Sequence, residues 1–220
     1  MTREEIVQSI YNNKVIAIIR GMEPQHCVSC AEALYAGGIK MIEVTFNQRA
    51  SDSFRATTDA IRAICETMEE QMTVGAGTVL TREQVDLAYD AGACYIVTPS
   101  LNLEVLRYAK EKGMVTLPGA LTPSEVVTAY EAGADFVKIF PIGNLGPAYM
   151  KAIKAPLSHI PMLAVGGVNE KNIQGFLDAG AIGAGVGGNL VNKVWVENGE
   201  FDKITALAKE YVAIVNKEGV

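Results

Sequence analysis

Eight short apolar runs recur along the chain, at 15–20 (VIAIIR), 41–46 (MIEVTF), 72–76 (MTVGA), 94–98 (CYIVT), 114–118 (MVTLP), 135–140 (DFVKIF), 162–165 (MLAV) and 182–186 (IGAGV). Amphipathic stretches with helical spacing separate them, among them 82–91 (REQVDLAYDA), 103–112 (LEVLRYAKEK) and 123–132 (PSEVVTAYEA). Several of these end alike, in Ala36-Gly37-Gly38, Ala91-Gly92-Ala93, Ala132-Gly133-Ala134 and Ala179-Gly180-Ala181, and Gly113 closes another. Glycine just past a helix allows the left-handed turn that redirects the chain into a strand. Helix starts are marked by Thr81 and Asn102, and by Thr122 ahead of Pro123, since a side-chain oxygen there caps free N–H groups. Strand and helix alternating eight times, with no linker or compositional break, predict an α/β chain folded as a single (β/α)8 TIM barrel over residues 1–220, led by a short N-terminal helix. A doubly wound open sheet fits less well, because the first turn, Arg20-Gly21-Met22-Glu23, lacks the dinucleotide fingerprint.

Barrels carry their chemistry at the C-terminal ends of the strands, with phosphate often held after the last two. Those ends read Arg20, Glu43 to Asn47, Gly75 to Thr78, Thr98-Pro99-Ser100, Pro118-Gly119, Lys138 to Pro141, Gly166-Gly167 and Gly187-Gly188. Lys138 stands out because it alone among the lysines lies mid-strand, in Asp135-Phe136-Val137-Lys138-Ile139-Phe140-Pro141. Burying an ammonium without a partner is costly, and the usual relief is a depressed pKa that leaves a nucleophilic amine. The plainer reading is a strand-end lysine that reaches solvent or pairs with a carboxylate. Glu43 is the second anomaly, an acid inside Met41-Ile42-Glu43-Val44-Thr45-Phe46. Strand alternation puts Glu43 and Thr45 on the face opposite Ile42, Val44 and Phe46, hence toward the barrel interior and Lys138. A self-neutralising ion pair is the structural alternative, but such pairs stabilise weakly. Gly166-Gly167 and Gly187-Gly188-Asn189 are expected to open helices and offer bare N–H groups to an anion.

The net charge of −6 argues against a nucleic-acid surface, so an anionic substrate has to be held by local groups. No run approaches the roughly 18 apolar residues of a membrane span. The N-terminal MTREEIVQSIYNNK carries acids and no apolar leader core, which predicts a cytoplasmic chain with its cysteines (27, 30, 65 and 94) reduced. Cys27-Val28-Ser29-Cys30, preceded by His26, has redox or metal spacing but no second pair, and reads as ordinary helix thiols. Trp195, within 190–199 (LVNKVWVENG), reads as packing on a loop or edge helix.

The segments AIIRG (17–21), EVTF (43–46), GAGTVLT (75–81), IVTPSLN (96–102), LPGALTPSE (117–125), FVKIFPIGNLGPAYMKAIKAP (136–156), AVGGV (164–168) and GAGVGGNL (183–190) occur in order. Together they resemble the 2-keto-3-deoxy-6-phosphogluconate (KDPG)/4-hydroxy-2-oxoglutarate (KHG) aldolase family, closer to its 6-phosphogalactonate branch. The resemblance implies a cofactor-free and metal-free class I aldolase, commonly a homotrimer, that acts on a small 2-keto-3-deoxy-sugar acid. Its products would be pyruvate and an aldehyde such as glyceraldehyde 3-phosphate. Lys138 then matches the Schiff-base lysine and Glu43 the general acid/base. Arg20 and Thr78 match the groups on the carboxylate and keto end, and Gly166, Gly167, Gly187 and Gly188 the phosphate loops. Three positions depart from common family members: Val165 replaces a threonine, Gly187-Gly188-Asn189 lacks a serine, and Asn47 stands where the gluconate branch has arginine, with Arg49 out of step. A phosphate-gripping isomerase or epimerase with Glu43 as base, and a non-catalytic sugar-acid binder, are the competing readings.

Overall fold

The computed structural model describes residues 1–49 and 52–217. Its strands are β1 (Val15–Ile19), β2 (Met41–Thr45), β3 (Thr73–Gly77), β4 (Tyr95–Val97), β5 (Val115–Leu117), β6 (Gly119–Ala120), β7 (Val137–Ile139), β8 (Met162–Val165) and β9 (Gly183–Val186). Its helices are α1 (Arg3–Asn13), α2 (Pro24–Ala36), α3 (Asp52–Met68), α4 (Arg82–Asp90), α5 (Leu103–Glu111), α6 (Pro123–Glu131), α7 (Gly146–Lys154), α8 (Ile173–Asp178), α9 (Lys193–Glu197) and α10 (Phe201–Val215). All pairings are parallel and run in the order β5-β4-β3-β2-β1-β9-β8-β7-β6.

Nine segments make an eight-membered ring because β5 and β6 are one strand interrupted at Pro118. β5 pairs with β4, and β6 pairs with β7 through Gly119 opposite Lys138. Proline has no N–H for the ladder. Beyond it, Gly119 N donates to the side chain of Thr98 at 3.2 Å instead of to a backbone carbonyl. The side toward β7 stays continuous, since Phe136, Lys138 and Phe140 donate to the carbonyls of Thr116, Pro118 and Ala120 at 3.2, 2.9 and 3.0 Å. The expected (β/α)8 barrel is therefore closed.

Strand alternation sorts the apolar side chains into two layers. Val15, Ala17, Ile42, Val44, Val74, Ala76, Val137 and Ile139 pack outward with the helices in the larger cluster. Ile16, Ile18, Met41, Tyr95, Val97, Val115, Leu117, Phe136, Leu163 and Val165 fill the interior. Ile6 and Ile10 of α1 join that inner column, so the N-terminal helix closes the N-terminal end of the barrel. Arg3 of α1 pairs there with Asp135, whose other oxygen accepts from Thr116 N at 2.9 Å.

The expected caps are present. Thr81 and Asn102 accept from N–H groups of α4 and α5, and Thr122 with Glu125 forms a reciprocal capping box ahead of α6. Gly92, Gly113, Gly133 and Gly180 make the left-handed exits, with φ of +99°, +78°, +87° and +98°. Among the described residues no helix is long and apolar enough to cross a membrane.

Candidate active site at the barrel rim

Lys138 sits on β7 between Val137 and Ile139, which face the helices, and shares the inward phase of Phe136. It is only 3% exposed, and its amine lies 4.8 Å from the centre of the Phe140 ring. Burial pushes the Lys138 pKa down from its ordinary value; the Glu43 carboxyl draws it back up, and Arg20 presses it down further. Glu43, on β2, is 2% exposed and shares the phase of Met41. Burial raises its pKa, against the opposing pull of Lys138 and Arg20. Desolvation is the leading cause for both, so amine and carboxyl are each driven toward the uncharged form. Among the described residues Glu43 Oε1 has no hydrogen-bond partner.

Two glycines make room for this carboxyl and its neighbour. A Cβ on Gly77 would stand 2.8 Å from Glu43 Oε1 and 2.8 Å from Thr45 Cγ2. Glu43 pairs across the sheet with Gly75, and Gly75 with Tyr95. The Tyr95 ring lies over Gly75, where a Cβ would approach it to 2.2 Å, and its hydroxyl donates to Ile42 O at 2.5 Å. Thus Tyr95 crosses β3 to brace the residue before Glu43.

Two clefts open at the rim. One, of about 270 Å³, is lined by Arg20, Lys138, Gly166, Gly167, Gly187, Gly188 and Asn189. The other, of about 360 Å³, is lined by Arg20, Thr45, Asn47, Gln48, Arg49 and Thr78. The structure therefore gathers six expected site residues into one cleft, and Arg20 joins that cleft to Thr78 in the next. Glu43 lines neither and lies buried beneath the rim. Thr78 holds φ of +57°, a left-handed conformation that a β-branched residue seldom takes.

The glycine pairs differ from expectation in one respect: neither opens a helix directly. α8 starts at Ile173 and α9 at Lys193, each after an intervening turn. At Gly166 and Gly167, φ of +87° and +80° turns the chain away from helical geometry. These two pack backbone to backbone on the turn after β7, with Gly143 N donating to Gly166 O at 2.7 Å. A Cβ on Gly167 would meet Gly143 Cα at 2.9 Å. Gly187 and Gly188 show neither demand: neither has a left-handed φ, and a Cβ at 188 would touch nothing within 4 Å.

Cys27 and Cys30 lie on α2, as read from the sequence, with burial pushing their thiols up to about 11 and about 12. Cys27 also lines a separate crevice of about 210 Å³ with Ala56, Thr57 and Ala60 of α3, which the Lys138 cleft does not share. Trp195 lies on α9, packed against the outer layer. Sequence reading missed Gly77, Tyr95 and Gly143, and also Gln84, a fully buried amide on α4.

A closed parallel barrel with a desolvated amine opening onto its rim and a desolvated carboxyl buried beneath it suits a barrel enzyme, and its relatives place it among the aldehyde-lyases. The model of the family described as KDPG and KHG aldolase matches residues 6–207. The chain belongs to that family. It is 41% identical over 177 residues to the 2-dehydro-3-deoxy-6-phosphogalactonate aldolase of Escherichia coli K12, covering 80% of this chain and 83% of that one. Against the KHG/KDPG aldolase of the same organism, identity is 34% over 199 residues, 90% of each chain. A solved native KDPGal structure superposes with a TM-score of 0.83 at 36% identity, covering 92% of this chain and 94% of its own. A Legionella pneumophila KDPG aldolase, captured with pyruvate as a covalent carbinolamine, gives 0.82 at 28% identity over 92% and 96%.

Proposed function

We propose that the chain is a class I aldolase that cleaves a 2-keto-3-deoxy-sugar acid to pyruvate and an aldehyde through an imine on Lys138. The observation that carries this is the amine itself: buried, lowered in pKa, and opening onto the cleft beside a carboxyl raised in pKa. The carbinolamine of the Legionella relative supports the same chemistry.

In this reading, neutral Lys138 attacks the C2 ketone, and Glu43 delivers the proton that makes the carbinolamine hydroxyl. Glu43 then takes a proton back from the attacking nitrogen and passes it to that hydroxyl, so water leaves and the iminium forms. Glu43, now a carboxylate, takes the C4 hydroxyl proton directly or through a water, and the C3–C4 bonding pair moves into the iminium. The aldehyde departs, and a pyruvate enamine remains. Glu43, or a water it positions, protonates C3, and hydrolysis returns pyruvate and the free amine. Arg20 holds the carboxylate, with paired donors available from its fork, and Thr78 adds a hydroxyl at that end.

Gly187 and Gly188 hold the distal end of the substrate. Nothing in their backbone or neighbours requires glycine, so bare N–H groups facing the cleft are the remaining reason for them. A 6-phosphate is the group we assign there. The assembly in this reading is a homotrimer, which sedimentation measures. Borohydride reduction in the presence of pyruvate tests the central step. Mass added at Lys138 supports it, whereas an unmodified lysine in an active preparation would leave the isomerase reading in its place. Comparing kcat/KM for phosphorylated and unphosphorylated 2-keto-3-deoxygluconate and galactonate decides the distal group and the sugar.

A further inference from the structure

Two helices of this barrel begin with the same pattern, Leu80-Thr81-Arg82-Glu83-Gln84-Val85 and Leu121-Thr122-Pro123-Ser124-Glu125-Val126. In both, the threonine accepts from the backbone N–H three residues on, as an N-cap does. At the second, the Glu125 carboxylate accepts from Leu121 N at 3.0 Å and Thr122 N at 2.8 Å, so an acceptor alone satisfies the cap. At the first, Gln84 Oε1 accepts from Leu80 N at 2.6 Å, which leaves an NH2 that the cap does not use.

That NH2 is used elsewhere. Gln84 Nε2 donates to Gln48 Oε1 at 2.9 Å, and Gln48 Nε2 donates to Thr78 O at 2.8 Å. The relay has one direction only. A backbone N–H at Leu80 can only donate and the carbonyl at Thr78 can only accept, so both amides are locked in orientation. Gln84 is 0% exposed, so among the described residues these partners are what offsets its desolvation. The far end of the relay is the residue with φ of +57°, a conformation held only where the surroundings over-determine it.

We propose that Gln84 is a positioning residue of the active site, acting through Gln48 to hold Thr78 on the wall it shares with Arg20. Gln48 and Thr78 both line that cleft, and Gln48 lies three residues past the end of the strand that carries Glu43. Gln48 is then a structural strut of the wall: its oxygen and one N–H are committed before substrate arrives. The kinetic readout rests on the aldolase reading; the relay itself does not.

The test uses the full chain and three substitutions. Gln48→Ala removes the strut at an exposed site. Gln48→Glu still accepts from Gln84 but offers Thr78 O a carboxylate in place of a donor. Gln84→Glu keeps the cap, on the precedent of Glu125, and loses the donor. Each is expected to raise KM for the sugar acid about tenfold with kcat changed less than about twofold, the pattern of lost binding rather than lost chemistry. Gln48→Ala combined with Gln84→Glu should be no worse than the stronger single change, because both break one relay. If Gln84→Glu does not fold, the two Gln48 variants decide alone. A KM within twofold of the parent in Gln48→Ala and Gln48→Glu, or single effects that multiply in the double variant, would overturn the proposal. Should the parent release no pyruvate, the aldolase reading fails. The relay is then judged by hydrogen exchange of the Gln84 side-chain NH2. Slow exchange in the parent, accelerated by Gln48→Ala, upholds it, and fast exchange in the parent overturns it.

Discussion

The Glu43 carboxyl occupies the space that a side chain at Gly77 would need, with a Cβ there only 2.8 Å from Oε1. Real Cβ atoms do not come that close, and a Cβ there would also stand 2.8 Å from Thr45 Cγ2, so the buried carboxyl has to shift to admit it. Gly77→Ala is therefore expected to move the carboxyl and lower kcat by at least about a hundredfold, the range over which misplacing a catalytic group acts. Borohydride trapping of pyruvate at Lys138 should survive. Unchanged kcat in a folded Gly77→Ala protein would remove Glu43 from the mechanism.

The two titrating groups separate by variant. Lys138→Ala should abolish pyruvate release, since among the described residues no other lysine is buried. Glu43→Gln should slow turnover by about two to four orders of magnitude, the usual contribution of a general acid/base, yet still form the imine. A coupled pyruvate assay reads the first and mass spectrometry after borohydride the second.

The pH dependence of trapping follows from who acts on Lys138. Imine formation needs the neutral amine, so trapping rises with pH through the lysine's depressed pKa, below its ordinary 10.5. Glu43 raises that pKa and Arg20 lowers it. The half-maximal pH should move down in Glu43→Gln and up in Arg20→Met. Shifts in the same direction would mean that the charges do not couple as described.

Stability carries its own signature. The folded Glu43 pKa lies above its ordinary 4.5, so between the two values the folded chain binds more protons than the unfolded one. Stability then falls as pH rises through that window, a penalty absent below the unfolded pKa. Glu43→Gln removes the slope. Its gain over the parent in urea midpoint should be nil at the acid end of the window and grow as pH increases.

Gly167 and Gly188 line the same cleft for different reasons. Gly167→Ala meets both a φ of +80° and the Gly143 backbone, and should destabilise by about 1–3 kcal/mol. Gly188→Ala meets nothing within 4 Å and should stay within about 0.5 kcal/mol of the parent. It should nevertheless raise KM for a phosphorylated substrate more than for its unphosphorylated counterpart. Thermal melts and paired kinetics separate the two.

Much of this was legible because local rules agreed with the global one. Strand runs, threonine caps and glycine exits each point to the barrel, and Lys138 and Glu43 were visible as charges out of place in apolar strands. What stayed hidden depends on register across the sheet. Pro118 reads as the end of a run, and only closure of the ring shows the strand continuing through Gly119 and Ala120 to meet β7. Gly77 reads as one of the strand-end glycines, and its service to Glu43 needs two strands in place. Gly166-Gly167 reads as a helix start, and its left-handed angles answer to Gly143, a residue whose position no local pattern gives. Gln84 reads only as a residue in the first turn after the Thr81 cap, and its link through Gln48 to Thr78 appears only when the neighbouring loop is in place.

The N-terminal helix has a consequence for traffic. With Ile6 and Ile10 filling the barrel from below, the cleft at the rim is the doorway that Lys138 lines. In the proposed cleavage both fragments leave by that doorway, and the tethered one sits deeper. The aldehyde has to clear the passage before water can reach the enamine's carbon and free the pyruvate, so the architecture itself imposes a queue: last bonded, last out.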